Sequence, residues 1–171
     1  KLYFVSVKNL NALVIETPFL TKKYIKLPLF LNLKKIGNYL HLKNLNNVKN
    51  KGKIIITGIG KSGYIGLKLA ATFSSTGSPS QYINCAEANH GDLGTIQDQD
   101  ILIALSKSGE TKEMFPIINF AKTNKIKLIS ITAKKSSFLA RNSHATCLIP
   151  DISESCPLNL APTTSTTMML V

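Results

Sequence analysis

The chain has 171 residues, of which 44% are hydrophobic, and this is enough to bury one core of useful size, so we expect a single folded domain. The net charge of +12 would suit a nucleic-acid partner, but the lysines are scattered without interleaved aromatic residues, so we expect no nucleic acid. The apolar run Leu29–Leu33 is too short to span a membrane, so we expect no membrane partner. Three cysteines form no disulfide framework, so we expect a cytoplasmic protein.

The first 50 residues differ in pattern from the rest of the chain. Residues 29–42 carry apolar side chains at helical spacing, but two prolines interrupt the pattern upstream. A stretch rich in lysine and asparagine, residues 43–53, marks the one candidate boundary. We therefore predict a helical N-terminal segment over residues 1–50 and the main domain over residues 51–171.

From residue 53 onward, short apolar runs alternate with segments of helical spacing. The runs are rich in β-branched residues, which is typical of buried strands. We predict strands at 53–58, 80–84, 100–105, 127–132 and 145–149, and helices at 62–76, 110–124 and 136–142. This alternation predicts an α/β fold, a three-layer sandwich in which helices flank a five-stranded parallel sheet. Ligands bind such sheets at the carboxyl ends of the strands.

The first predicted strand runs into a glycine-rich segment, Gly58-Ile-Gly-Lys-Ser-Gly63, which we call the glycine turn. Its G-x-G-x-x-G spacing makes a nucleotide-binding Rossmann domain one hypothesis. The acidic residue that would hold a ribose is missing after the second strand, where Asn84-Cys85 stands. A Walker A loop is excluded, because Ile55 occupies the position of its first glycine. Lys61 within the turn suits a single anionic group.

The third predicted strand runs into a second segment that favours anions, Ser106-Lys-Ser-Gly-Glu-Thr111, which we call the serine turn. Three hydroxyls and a glycine before a predicted helix offer donors to a phosphate, together with the unpaired amides of a helix N-terminus. A simple helix cap would explain one serine, but this turn has more donors than a cap needs. Two such turns at the carboxyl ends of two strands predict a small phosphorylated ligand held between them.

Four motifs resemble, in their order along the chain and in their spacing, the sugar isomerase (SIS) domain, a flavodoxin-like fold, of the bacterial arabinose-5-phosphate isomerases. They are the glycine turn, the serine turn, His90-Gly-Asp-Leu-Gly94 and Glu154-Ser-Cys-Pro-Leu-Asn-Leu-Ala-Pro-Thr-Thr-Ser-Thr-Thr167. The resemblance covers about residues 50–171. Serine-rich turns occur across all SIS domains, including sugar-binding regulators, whereas the last two motifs narrow the match to this isomerase group.

This resemblance implies an isomerase that interconverts D-ribulose 5-phosphate and D-arabinose 5-phosphate for the synthesis of the octulosonate sugar (Kdo) of lipopolysaccharide. It also implies a homotetramer whose active sites are completed by neighbouring subunits. Carried over onto this sequence, the catalytic positions are Lys61, His90, Glu110 and Glu154. The phosphate contacts are Ser62, Ser106, Ser108 and Thr111. Further candidate substrate contacts are Gly60, Thr163 and Ser165.

These residue types suit an aldose–ketose isomerisation. Moving a proton between adjacent carbons through an enediol needs a carboxylate base, an electrophile for the developing oxyanion and an acid for ring opening. Glu154 or Glu110 could be the base, Lys61 the electrophile and a histidine the ring-opening acid. The sequence leaves the choice between the two glutamates open.

A metal site built from His90, Asp92, Glu154 and Cys156 is another hypothesis. No pair of these residues has ligand spacing such as C-x-x-C or H-x-x-x-H. We therefore expect no metal and no cofactor.

The chain departs from the family at identifiable positions. Asn84-Cys85 stands where relatives carry His-Pro, and Lys107 replaces the usual asparagine of the serine turn, where it would add attraction for phosphate. Residues 163–171 resemble the first turns of a last helix, so we expect a truncated helix without the family's further active-site histidine and without its paired regulatory (CBS) modules. The missing histidine favours the alternative function, a sugar-phosphate-binding module without catalysis.

Overall fold

The computed structural model describes residues 52–151, 153, 154 and 158. The predicted N-terminal segment at 1–50 and the predicted last helix at 163–171 lie outside these residues. The five predicted strands are confirmed, each to within one residue at either end. They are β1 (Ile54–Gly58), β2 (Ser80–Asn84), β3 (Ile101–Leu105), β4 (Lys127–Thr132) and β5 (Ala145–Leu148).

Helices follow three of the strands, close to the predicted positions. They are α1 (Gly60–Ser75) after β1, α2 (Phe115–Thr123) after β3 and α3 (Phe138–Arg141) after β4, and short 3-10 turns lie at Ala88–His90, Asp92–Thr95 and Lys112–Met114. Within the described part of the chain, none of these helices combines the length and apolar character needed to cross a membrane.

The prediction of a helix over 110–124 was wrong at its start, since α2 begins at Phe115. Pro116 explains the difference. A proline deep inside a helix removes a backbone hydrogen bond and clashes with the carbonyl one turn earlier, whereas the first turn tolerates it. The backbone at Thr111 is extended instead, with φ −66° and ψ 111°. The serine turn is therefore separated from α2 by the 3-10 turn Lys112–Met114, which Thr111 precedes as its N-cap residue.

The five strands form one fully parallel sheet in the order β2-β1-β3-β4-β5. On one face, α1 packs through Ile65 and Ala70, and on the other face α2 packs through Ile117 and Ile118. This confirms the predicted three-layer α/β sandwich. Because α1 and α2 lie on opposite faces, the chain leaves the neighbouring strands β1 and β3 in opposite directions. A crevice opens between their carboxyl ends, where ligands bind in sheets of this order.

Both faces of the sheet are buried, because successive strand residues point to opposite sides. Ile54 and Ile56 of β1 pack on the face that carries α1, whereas Ile55 packs on the face that carries α2. Ile55, Ile56 and Leu102 are completely buried. Full burial of a side chain of this size contributes about 1.5–3 kcal/mol. The β-branched runs recognised in the sequence therefore hold the sheet between its helix layers.

A buried carboxylate joins the starts of β1 and β3 at the amino end of the sheet. Lys53 donates its backbone N–H to Asp100 Oδ1 at 2.8 Å, and its ammonium lies 3.3 Å from Asp100 Oδ2. The Gln97 backbone N–H also donates to Asp100 Oδ2, at 2.9 Å. Asp100 is only 1% exposed, so these donors replace the water that the carboxylate has lost.

Replacing Asp100 with Ala should lower the free energy of unfolding by about 2–4 kcal/mol, because two backbone donors lose their acceptor. Asp98→Ala removes the same charge from an exposed position and should change this free energy by less than about 0.5 kcal/mol. Urea unfolding of the two variants measures the difference, and equal losses would contradict the proposed role of Asp100.

Candidate functional site

A pocket of about 420 Å³ lies at the carboxyl ends of the strands, beside the crevice between β1 and β3. Its volume falls in the range of about 300–1,000 Å³ that is usual for small-molecule sites. The lining residues are Ile59, Ser62, Leu105, Ser106, Lys107, Ser108, Thr111, Lys134 and Asp151.

The glycine turn brings the start of α1 close to the sheet. Gly60 has a φ of +57°, a left-handed conformation that glycine adopts without strain. A Cβ at Gly63 would come within 2.5 Å of the Tyr82 hydroxyl, and one at Gly66 within 3.0 Å of its ring. The Tyr82 hydroxyl donates to the Gly58 carbonyl at 2.9 Å, and burial raises its pKa, so it stays protonated. The backbone conformation therefore explains Gly60, and the packing of α1 against β2 explains Gly63, without a dinucleotide.

The N-terminus of α1 faces this pocket. Its cap residue is Ile59, and no side chain caps the helix. Both Ile59 and Ser62 line the pocket. The backbone amides and partial positive charge of such a helix end attract anions.

The serine turn is ordered from within by its own hydroxyls. Ser106 Oγ accepts the Gly109 N–H at 3.0 Å and lies 2.8 Å from Thr111 Oγ1. Ser108 Oγ accepts the Glu110 N–H at 3.2 Å. Ser106 is only 3% exposed, whereas Ser108 is exposed. Ser106 therefore shapes the turn, and Ser108 can donate its hydroxyl proton to a ligand.

The loop that follows β4 holds the serine turn from outside. The Lys107 carbonyl accepts the Ala133 N–H at 2.9 Å and the Thr132 hydroxyl at 3.0 Å. Gly109 has a φ of +65°, and a Cβ at this position would overlap the Ser137 side chain. Gly109 is thus required both by the backbone conformation and by the close approach of the neighbouring loop.

The structure brings the four predicted phosphate contacts into one pocket. They come from the glycine turn and from the serine turn, and all four line the cavity: Ser62, Ser106, Ser108 and Thr111. Of the further candidate contacts, Gly60 is the first residue of α1 and does not line the pocket. Thr163 and Ser165 lie outside the described residues.

None of the four predicted catalytic residues lines the pocket. Lys61 is exposed near the N-terminus of α1, and His90 is exposed at the end of a 3-10 turn. The Glu110 carboxylate accepts the Phe138 N–H at 2.8 Å and so binds the first residue of α3. Glu154 reaches the rim of the pocket through a contact with a lining residue.

That contact is an ion pair with Lys107. The Lys107 ammonium donates to Glu154 Oε1 at 2.9 Å, and the two side chains are 29% and 11% exposed. Partial exclusion of water strengthens this attraction relative to a pair on the surface. Lys107 was expected to attract phosphate, but the structure directs its ammonium to the glutamate.

Two charged pocket residues were missed by the sequence analysis, Lys134 and Asp151. They follow the ends of β4 and β5, and this position is the only signal that could have found them. Neither belongs to a motif, so in sequence they resemble the many other charged residues of the chain.

The Cys85 thiol belongs to the buried core. Cys85 stands at the position where the family has the proline of its His-Pro pair. It is 1% exposed, and burial raises its pKa to about 11, so it stays protonated and unreactive near neutral pH. Among the described residues, no three His, Cys, Asp or Glu side chains cluster closely enough to hold a metal ion. Cys156, one of the candidate metal ligands, lies outside these residues.

The comparisons with known proteins agree with this architecture. The family model for the SIS domain matches residues 48–171. The chain belongs to the SIS domain family.

Curated relatives of this SIS domain share about half of its residues. Arabinose 5-phosphate isomerase KdsD of Francisella tularensis strain SCHU S4 is 50% identical over 127 residues, which cover 74% of this chain and 39% of the relative. Arabinose 5-phosphate isomerase KdsD of Escherichia coli strain K12 is 48% identical over 121 residues, which cover 71% of this chain and 37% of the relative. The chain therefore spans about two fifths of the length of these relatives.

A solved SIS structure is also similar. A protein of Escherichia coli CFT073, solved in complex with arabinose 5-phosphate, matches with a TM-score of 0.77 and 39% identity, covering 85% of this chain and 73% of that one. The predicted resemblance to the SIS domain of arabinose-5-phosphate isomerases is confirmed by these relatives.

Gly109→Ala should cost more stability than Gly77→Ala. Both glycines have a positive φ, +65° and +88°, and a left-handed conformation costs a residue with a side chain about 1–2 kcal/mol. A Cβ at Gly77 meets nothing within 4 Å, whereas one at Gly109 overlaps Ser137 and adds about 1–3 kcal/mol of overpacking. Urea unfolding compares the two variants. Equal losses would mean that the loop after β4 does not constrain the serine turn.

Proposed function

We propose that this chain is the isomerase domain of an enzyme that interconverts D-ribulose 5-phosphate and D-arabinose 5-phosphate. The observation that carries the proposal is the identity of about half with two KdsD arabinose 5-phosphate isomerases across the SIS domain. The pocket supports it, because four candidate phosphate contacts converge there, and a similar protein was solved in complex with arabinose 5-phosphate.

In this proposal the serine turn and the N-terminus of α1 bind the phosphate group. Ser108 of the serine turn and Ser62 of α1 contribute hydroxyl donors, while Ser106 and Thr111 share a hydrogen bond that orients the turn. Hydrogen bonds to a charged group are stronger than those between neutral groups. Because the turn is already ordered, little conformational entropy is lost on binding.

The isomerisation moves one proton between adjacent carbons. A base removes the proton from carbon two of open-chain arabinose 5-phosphate, and the protonated base then delivers a proton to carbon one of the resulting enediol to give ribulose 5-phosphate. The hydroxyl proton of carbon two is lost as its carbonyl forms, and the oxygen of carbon one gains a proton. Lys61 stabilises the negative charge that develops on oxygen, and His90 acts in opening the sugar ring.

We assign the base to Glu154. Its carboxylate lies at the pocket rim on Lys107, a lining residue, and only 11% of its side chain is exposed. The Glu110 carboxylate, by contrast, accepts the backbone N–H of Phe138, so it positions the loop between β4 and α3. Lys107 orients the Glu154 carboxylate toward the ligand.

We also propose the assembly, compartment and pathway in which the enzyme works. Tyr64 and Leu67 are 69% and 48% exposed on the outer side of α1, and apolar surface of this kind supports assembly with other copies into a homotetramer. Cys85 and Cys147 are buried thiols without a disulfide, which fits a reducing cytoplasm. The KdsD relatives support a place in the synthesis of Kdo for lipopolysaccharide.

A second function, sugar-phosphate binding without catalysis, is favoured by one observation. All four candidate phosphate contacts line the pocket, whereas the four candidate catalytic residues do not. Turnover separates the two functions, because a binding module would bind arabinose 5-phosphate and leave it unchanged.

Ser108→Ala should weaken the binding of arabinose 5-phosphate about tenfold, because a hydrogen bond to a charged group contributes about 1.5–3 kcal/mol. Ser136→Ala is the matched control, since Ser136 is exposed and does not line the pocket. Its affinity should stay within about twofold of the unsubstituted protein. Isothermal titration calorimetry measures both, and an unchanged affinity for Ser108→Ala would remove the phosphate from the serine turn.

Glu154→Gln should lower kcat by about 10²- to 10⁴-fold with little change in substrate affinity, as expected for loss of a general base. Glu110→Gln should keep most of the activity, because the amide oxygen of glutamine can still accept the Phe138 N–H. Turnover in heavy water should also introduce deuterium at carbon two of arabinose 5-phosphate.

Three results of this comparison are informative. Loss of activity in Glu110→Gln alone would transfer the role of base to Glu110. Normal turnover in both variants would defeat the assignment of either glutamate. Binding without turnover by the unsubstituted chain would favour the second function.

A further inference from the structure

The phosphate group of a sugar phosphate carries about two negative charges near neutral pH. Hydroxyls supply hydrogen bonds to such a group but no opposing charge, and the proposed phosphate contacts are all neutral side chains. A nearby cation would add direct electrostatic attraction. Three charged residues line the pocket: Lys107, Lys134 and Asp151.

The charge of Lys107 is already matched within the protein. Its ammonium lies 2.9 Å from Glu154 Oε1, with both side chains largely shielded from solvent. Turning this ammonium toward a phosphate would break its contact with a carboxylate that is only 11% exposed, which is costly. Lys107 is therefore poorly suited to supply the charge that the phosphate needs.

Lys134 is differently placed. Its backbone is anchored at both ends, because its N–H donates to Thr132 Oγ1 at 3.3 Å and its carbonyl accepts the Ser137 N–H at 3.1 Å. The same loop binds the Lys107 carbonyl of the serine turn through the Ala133 N–H. The Lys134 side chain is exposed, and within the described ranges it forms no ion pair, including none with Asp151.

We infer that Lys134 is an additional ligand-binding residue, whose ammonium pairs with the phosphate group and makes the pocket selective for phosphorylated over unphosphorylated sugars. The anchored loop holds Lys134 next to the serine turn in the lining of the pocket, which the N-terminus of α1 also faces, so hydroxyls, helix amides and ammonium can act on one anion. This inference rests on the proposed binding of a sugar phosphate. It adds a residue that belongs to none of the four sequence motifs.

Lys134→Met tests the inference against Lys135→Met, its matched control. Both substitutions remove one positive charge from an exposed lysine of the same loop, but only Lys134 lines the pocket. Calorimetric titration of the full chain with arabinose 5-phosphate, inorganic phosphate and unphosphorylated arabinose measures binding without any need for turnover. We expect Lys134→Met to lower the affinity for the two phosphate ligands about tenfold. Lys135→Met should change this affinity by less than about twofold. Arabinose binding should be the same in both variants.

Lys134→Arg and Lys134→Gln complete the test. The arginine variant should retain most of the phosphate affinity, and its binding should weaken with added salt more steeply than that of the neutral variants. The glutamine variant should bind phosphate ligands with the same affinity as Lys134→Met. Agreement between the two neutral variants shows that the loss of affinity is not caused by poor folding of one of them. Equal affinities of Lys134→Met and Lys135→Met, in a protein that binds arabinose 5-phosphate, would overturn the inference and leave the proposed function standing. Failure of the unsubstituted chain to bind either phosphate ligand would instead overturn both.

Discussion

The backbone carbonyl of Lys107 connects the two loops on which the pocket depends. It accepts hydrogen bonds from the Ala133 N–H and from the Thr132 hydroxyl, while the Ser106 N–H donates to Ile131 of the same neighbouring strand. The hydrogen bonding of the parallel sheet therefore continues past the ends of β3 and β4 into the turns. Without these bonds, the hydroxyls of the serine turn would have no fixed position relative to the rest of the pocket. Gly109 completes the arrangement, since any side chain there would push the Ser137 segment away.

The glycine turn obeys the same physical constraint on the other side of the crevice. Tyr82 fills the space that side chains at Gly63 and Gly66 would occupy, and its hydroxyl binds the Gly58 carbonyl. Both turns are thus shaped by close contact with a neighbouring strand or loop. A pocket whose donors are ordered before the ligand arrives loses little entropy on binding. The opposite departure of α1 and α2 from β1 and β3 leaves room for that ligand.

Two ion pairs at opposite ends of the sheet serve different purposes. The carboxylate of Asp100 is almost fully buried and accepts two backbone N–H groups, so it stabilises the starts of β1 and β3. The Lys107–Glu154 pair keeps some contact with solvent and carries a carboxylate at the pocket rim. Binding groups therefore lie on strand ends that the sheet holds firmly, and the proposed base reaches the pocket through a side-chain contact.

The sequence by itself determined the strands, the parallel sheet and the two turns that flank the pocket, because β-branched runs, glycines and clustered hydroxyls act over a few neighbouring residues. It also located the four hydroxyl residues that converge in the pocket. Tertiary structure decided what depends on residues far apart in the chain. Lys107 meets Glu154, Glu110 meets Phe138, and Lys134 and Asp151 enter the pocket only because the loops after β3, β4 and β5 meet at one edge of the sheet. A local pattern carries no information about such partners, since a charged side chain binds whichever group the fold places within its reach.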